Sequence, residues 1–177
     1  MSAAVIERSF GTEVDALVAA DPGSDQMRAV FDGFPAAVVA LCAADDDGAH
    51  GLVATSVSVG VSYDPPMVLF SVRKESTTWP VLRDFPRLGL SVLGEGQEAL
   101  CRQLSGAGDR FHGVSTKVVP GGALFIDEAM SWLDCSIESE TPAGDHLVVL
   151  RVHAVGHAHE TAPLIFHRSA FPVLRNI

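Results

Sequence analysis

Apolar and small polar residues alternate most clearly from Val53 to Val61. Val53, Thr55, Val57, Val59 and Val61 fall on one face of an extended chain, and Ala54, Ser56, Ser58 and Gly60 on the other. One face is β-branched and mostly apolar; the other is small and carries hydroxyls. Asp64-Pro65-Pro66 interrupts the ladder, because two prolines bring no backbone donors. Met67 to Val72 resumes as an apolar strand. It runs into Arg73-Lys74-Glu75-Ser76-Thr77-Thr78-Trp79-Pro80, where Ser76 or Thr77 is placed to cap a short helix that tolerates Pro80 in its first turn.

The pattern on either side predicts further elements. Upstream, Ser24 caps a helix whose Met27, Val30, Phe31 and Phe34 recur on one stripe, expected to dock on the main body. Ala36 to Ala44 is a buried strand, and Asp45-Asp46-Asp47-Gly48 a hairpin turn. Downstream, a helix carrying Val81 and Leu82 ends before Pro86, and Leu88 to Leu93 is a strand. Glu95 to Leu104 is an amphipathic helix with Ala99, Leu100 and Leu104 inward. Ala129 to Glu140 and His146 to Glu160 are two long strands joined by a Thr141-to-Asp145 loop. Residues 1–23 are weakly periodic and read as an N-terminal extension to a domain covering residues 24–177.

Composition narrows the function. With 177 residues, 47% of them apolar, the chain has material for one domain with a real core. No apolar run approaches the roughly 18 to 20 residues of a membrane span, and Met1 to Phe10 lacks the pattern of a signal peptide, so a cytoplasmic protein is expected. Cys42, Cys101 and Cys135 are odd in number, widely spaced and without a CxxC pair, which points to buried thiols. A formal net charge of −10 argues against nucleic acid or an anionic membrane as partner. Nine of the carboxylates, against two arginines, precede Gly51, so the region from Gly51 onward is near balance. No metal is expected: the acidic turn at Asp45–Asp47 reads as solvated, and an extended strand sets His153 and His157 about 13 Å apart. Only His157 and His159 are close enough to share an ion, with nothing placed to complete the set.

The candidate chemistry sits in the central stretch. A small, hydroxylated strand face lets a flat polar ring lie against the backbone, and the next strand ends in two cations and three hydroxyls that suit a phosphate. Together they describe a site for a ring joined to a phosphate; a half-buried hairpin with solvated cations fits the same spacing.

The run Gly51 to Val72, followed by Ser76-Thr77-Thr78-Trp79-Pro80, resembles the flavin reductase-like family, whose members resemble the small reductase components of two-component flavin monooxygenases. Gly108-Asp109-Arg110-Phe111, Gly144-Asp145-His146 and Pro163 to Phe171 resemble further family segments, although Ser169 and Phe171 stand where that last segment usually has Gly and Tyr. The resemblance implies a mainly β fold with peripheral helices, an antiparallel six-stranded Greek-key split barrel of the FMN-binding type, and a homodimer. It implies an NAD(P)H-dependent reductase of FMN or FAD, with NADH favoured because no basic cluster for a 2′-phosphate is apparent, supplying reduced flavin to a partner monooxygenase. In that reading Ala54, Thr55, Ser56, Val57, Ser58, Val72 and Arg73 hold the flavin ring and ribityl chain; Lys74, Ser76, Thr77 and Thr78 hold its phosphate. Arg110 and Phe111 lie near the flavin. His146 is the candidate catalytic residue, orienting the nicotinamide with His167 and Arg168, and Phe171 stacks. Two alternatives stay open: a flavin-retaining oxidoreductase acting on an organic substrate, and a flavin- or haem-binding sensor.

Overall fold

The computed structural model describes residues 20–174 and divides the chain into two compact units between Phe34 and Pro35. In the first unit, α1 (Asp25–Asp32) begins as its sequence dictates: Ser24 is extended, and its side chain accepts a hydrogen bond from Met27 N–H. No residue of this helix is buried, and Val30, Phe31 and Phe34 stand exposed. Most of the predicted N-terminal extension lies outside the described residues.

The second unit is an antiparallel barrel. Its strands are β1 (Ala36–Ala37), β2 (Val39–Asp45), β3 (Gly48–Ala54), β4 (Ser58–Tyr63), β5 (Pro66–Val72), β6 (Leu88–Val92), β7 (Thr116–Val118), β8 (Leu124–Ile126), β9 (Ser131–Ala143), β10 (Asp145–His157) and β11 (Ile165–Phe166). Helices α2 (Trp79–Leu82) and α3 (Glu98–Ser105) are peripheral. Seven strands form the main sheet in the order β3-β2-β6-β9-β10-β5-β4, every pair antiparallel; β1–β11 and β7–β8 make two small flanking pairs. Among the described residues no helix is long and apolar enough to cross a membrane.

The six-strand expectation becomes seven for an identifiable reason. Val53–Val61 is not one strand: it leaves the ladder at Thr55–Val57, passes from one edge of the sheet to the other, and resumes as β4 beside β5. β3 and β4 are therefore the two ends of the sheet, joined by a three-residue crossing that closes the barrel. Ser56 fastens the crossing to β5, its hydroxyl donating to Ser71 C=O at 2.9 Å and accepting from Ser71 N–H at 3.3 Å. Gly60, at φ +73°, accompanies a register shift that bends β4.

The run from Val38 to Ala44 is uniformly apolar because both of its faces are covered. Val39, Leu41 and Ala43 enter a core with Phe70, Leu88, Leu90, Val148 and Leu150, whereas Val38, Ala40 and Cys42 join a second cluster with Leu93, Leu104, Leu124 and Leu164. Each fully buried leucine or phenylalanine contributes about 1.5–3 kcal/mol. Three further expectations are corrected. In α3 the buried residues are Cys101 and Leu104, and Ala99 is exposed. The loop foreseen at Thr141–Asp145 shrinks to Gly144 at φ +85°, with Pro142 inside β9, tolerated because β6 pairs with β9 only as far as Cys135. Strand β10 ends at His157 rather than Glu160, with a register shift between Val152 and Ala154, and His153 Nε2 lies 2.8 Å from Ser136 Oγ.

Candidate functional site

The crossing that closes the barrel also opens a cleft of about 690 Å³ beside it. One wall is the end of β3 with the crossing itself, Leu52 to Ser56; the other is the end of β5, Ser71 to Arg73. Glu75 to Thr78 form the far end, Leu104, Ser105 and Arg110 come from α3 and the loop after it, and Asp145 opens β10. Small side chains along the first wall leave backbone accessible, as a flat ring requires.

At the far end the hydroxyls are arranged as donors. Ser76 Oγ accepts from Trp79 N–H at 3.1 Å, and Thr78 Oγ1 accepts from Arg110 Nη1 at 2.9 Å. Each oxygen has its acceptor side engaged, which leaves the O–H hydrogen free to donate. Arg110 is held by two further bonds, Nε to Gly106 C=O at 2.9 Å and Nη1 to Gly51 C=O at 3.1 Å. It does not merely pair with Asp109, whose Oδ1 accepts from Phe111 N–H. From α3, Gln103 Nε2 donates to Arg110 C=O and His112 C=O, pinning the same loop. Arg73, exposed at the end of β5, makes no ion pair among the described residues.

Of the residues singled out in the sequence, the cleft brings together Ala54, Thr55, Ser56, Val72, Arg73, Ser76, Thr77, Thr78 and Arg110. Others lie off it. Val57 packs partly buried against the core, and Ser58 opens β4 opposite Leu69. Lys74 turns its ammonium to within 3.8 Å of Glu75, and its N–H donates to Asp145 Oδ1. Phe111 packs over Gly51, where its ring would lie 2.8 Å from any added Cβ. His146 pairs with Val72 across β10 and β5, and its Nδ1 lies 2.7 Å from Glu140 Oε1; Arg83 holds the other oxygen of that carboxylate at 3.2 Å. His167 and Arg168 form a tight turn closed by Ala170, with Arg168 at φ +50°. Phe171 packs at a tilt against Phe166, beneath Arg102.

Four polar lining residues were not foreseen: Ser71, Glu75, Ser105 and Asp145. Asp145 had a visible signal, since it belongs to Gly144-Asp145-His146; the contact with Lys74, 71 positions away, had none.

The donor set fits a phosphorylated flavin. Two arginines and three hydroxyls with free hydrogens gather at one end of a cleft whose other end is a small-residue wall. Comparison with known proteins points the same way. A family model described as Flavin reductase like domain matches residues 31–175. A flavin reductase of Pseudomonas putida is 30% identical over 146 residues, 81% of this chain and 86% of that protein. The reductase subunit of a flavin-dependent monooxygenase from Rhodococcus jostii is 30% identical over 148 residues, 82% of this chain and 75% of that protein. Among solved structures, an NADH:FAD oxidoreductase of Streptomyces globisporus superposes with a TM-score of 0.81 at 28% identity, covering 88% of this chain and 96% of that one. With most of its length matched by the family model, the chain belongs to the flavin reductase-like domain family.

Proposed function

We propose that the protein is an NADH-dependent flavin reductase that supplies reduced flavin to a partner monooxygenase. The observation that carries this reading is the convergence of Arg73, Arg110, Ser76 and Thr78 at one end of the seam cleft, with the Ala54–Ser56 wall at the other. The names of the Pseudomonas, Rhodococcus and Streptomyces relatives supply the class of reaction and the kind of partner.

When both nucleotides are bound, a hydride passes from the dihydronicotinamide to the flavin, and the cofactors carry that chemistry themselves. The chain's residues bind and orient. Ser76 and Thr78 would donate to the flavin phosphate, Arg73 and Arg110 would neutralise it, and the wall around Ser56 would support the ring. His146, with Nδ1 directed at Glu140, holds one ring orientation at the start of β10, next to Asp145 in the cleft. The name of the Streptomyces relative, an NADH:FAD oxidoreductase, favours NADH over NADPH. A homodimer fits the exposed apolar side chains of β4 and β10, where Val59 (73%), Tyr63 (89%) and Leu147 (36%) stand in water.

The test follows NADH absorbance with and without FMN, FAD and riboflavin. Consumption that rises and saturates with one added flavin is expected. Ser76→Ala with Thr78→Ala should weaken flavin binding by about tenfold. Affinity unchanged in a titration would move the phosphate site elsewhere, and steady absence of NADPH and NADH consumption with flavin bound would sink the reductase reading.

A further inference from the structure

A second groove, about 520 Å³, lies between the β7–β8 pair and strands β9 and β10, and shares no lining residue with the seam cleft. Its volume falls within the roughly 300–1,000 Å³ of small-molecule sites. The aromatic part of its lining is held in place. Trp132 donates its Nε1–H to Ile126 C=O at 2.7 Å, and its ring lies against Gly156, where an added Cβ would come within 3.2 Å of it. Phe125 pairs with Lys117 across β7 and β8, and Ala154 brings only a methyl group to the opposite side. Val155 stands 77% exposed in the same lining, apolar surface that a ring would cover.

The charges of the groove select the kind of ring. Asp134 is already matched: Arg87 donates to its two oxygens from Nε at 2.9 Å and Nη2 at 2.6 Å. Lys117 and Asp127 also line the groove, and neither makes an ion pair among the described residues. Their placement follows from the ladder. Lys117 faces Phe125 and Thr116 faces Ile126; Asp127 N–H then bonds to Ser115 C=O, and the Ser115 hydroxyl donates to the Asp127 carboxylate. Lys117 and Asp127 are therefore diagonal neighbours on one face, about 7–8 Å apart along the backbone. A ligand of single charge would leave one of the two unmatched. A ligand with an ammonium and a carboxylate on one carbon matches both, and places its side chain on the apolar lining beyond them. We propose that this groove binds an aromatic α-amino acid, its carboxylate on Lys117, its ammonium on Asp127 and its ring against Phe125 and Trp132.

The full chain is titrated with L-phenylalanine, with 3-phenylpropionate, which lacks the ammonium, and with 2-phenylethylamine, which lacks the carboxylate. Tryptophan emission is the readout: the chain has two tryptophans, and Trp79 is only 2% exposed, so a change on binding reports Trp132. Phenylalanine should bind saturably and about tenfold more tightly than either analogue. Lys117→Met should weaken phenylalanine by about tenfold and leave the amine within about twofold; Asp127→Asn should do the same relative to the acid. Ala154→Phe, which fills the groove from an exposed position, should abolish all three, with thermal melting to check the fold. No saturable change in wild type, or affinities untouched by Lys117→Met and Asp127→Asn, overturns the proposal. An analogue that binds as tightly as phenylalanine makes the occupant a simple aromatic ion and overturns the amino-acid assignment. Displacement of phenylalanine by FMN places it in the seam cleft and overturns the groove. If wild type binds no phenylalanine and Ala154→Phe turns a larger assembly into single chains on size exclusion, the groove is an interface between copies, and the proposal falls.

Discussion

Arg110 is the residue through which the stability of the seam and the affinity for flavin are joined. Arg110→Ala removes three donated hydrogen bonds, to Gly106 C=O, Gly51 C=O and Thr78 Oγ1, at 2.9, 3.1 and 2.9 Å. Bonds from a charged group are worth about 1.5–3 kcal/mol each when shielded. Arg110 is only half-buried, so water replaces part of each, and about 1 kcal/mol apiece, or 2–3 kcal/mol together, is the defensible sum. For a domain of this size that corresponds to a fall in Tm of about 5–10 °C. Flavin affinity should fall further than stability, about 10- to 100-fold, because the same change removes a charge from the cleft and frees Thr78 from its fixed orientation. Arg110→Lys keeps the charge but cannot span all three acceptors, and should fall between. Urea denaturation and flavin titration on the same preparations measure both quantities. The reasoning fails if Arg110→Ala stays within about 0.5 kcal/mol of wild type, or if lysine and alanine lose flavin affinity equally.

Two further predictions concern the frame. Gly89 lies in β6 between Cys42 and Asp134, and a Cβ there would meet Leu124 C=O oxygen at 2.2 Å and its carbon at 2.7 Å. Backbone cannot yield as a side chain does, so Gly89→Ala should cost about 3–5 kcal/mol or abolish soluble expression; a urea midpoint close to wild type would refute the close approach of β8. Burial pushes the Cys42 and Cys135 thiols up to about 12. A raised folded value means that the stability these thiols supply is complete below the unfolded value near pH 8.5 and drains away as pH climbs from there towards 12. Cys42→Ala should flatten the alkaline decline of unfolding free energy by about 1.4 kcal/mol per pH unit; an unaltered slope would show that Cys42 ionises while folded.

What the sequence made legible was whatever depends on near neighbours. Alternation placed the strands at Met67–Val72 and Leu88–Leu93 within a residue of β5 and β6, and the hydroxyl-rich Ser76–Thr78 run lies in the cleft. Partner exchange was invisible. Val53–Val61 alternates without a fault, because a strand that leaves one neighbour for another keeps its period of two. The charge networks were equally hidden: Glu140, with no signal of its own, receives both Arg83 and His146, one of them 57 positions away. His167, Arg168 and Phe171 mark the opposite limit. Their motif was read in the sequence, but the chain folds them into a tight turn and an aromatic contact away from the lining of the cleft.

The location of the site follows from how the barrel closes. Among the described residues β3 has β2 as its only ladder partner, and its last residues, Leu52 to Ala54, line the cleft. Where a sheet meets itself through a crossing rather than a ladder, backbone groups at the seam lack the partners that every interior strand provides. Ser56 satisfies one such pair through its hydroxyl, on Ser71. A small residue is needed at that point for the crossing to approach β5, and the same smallness admits a flat ring against the wall. Closure and the proposed binding therefore place the same demand on positions 54–56, which is why replacing Ser56 with a larger side chain would disturb the barrel and the proposed flavin site together.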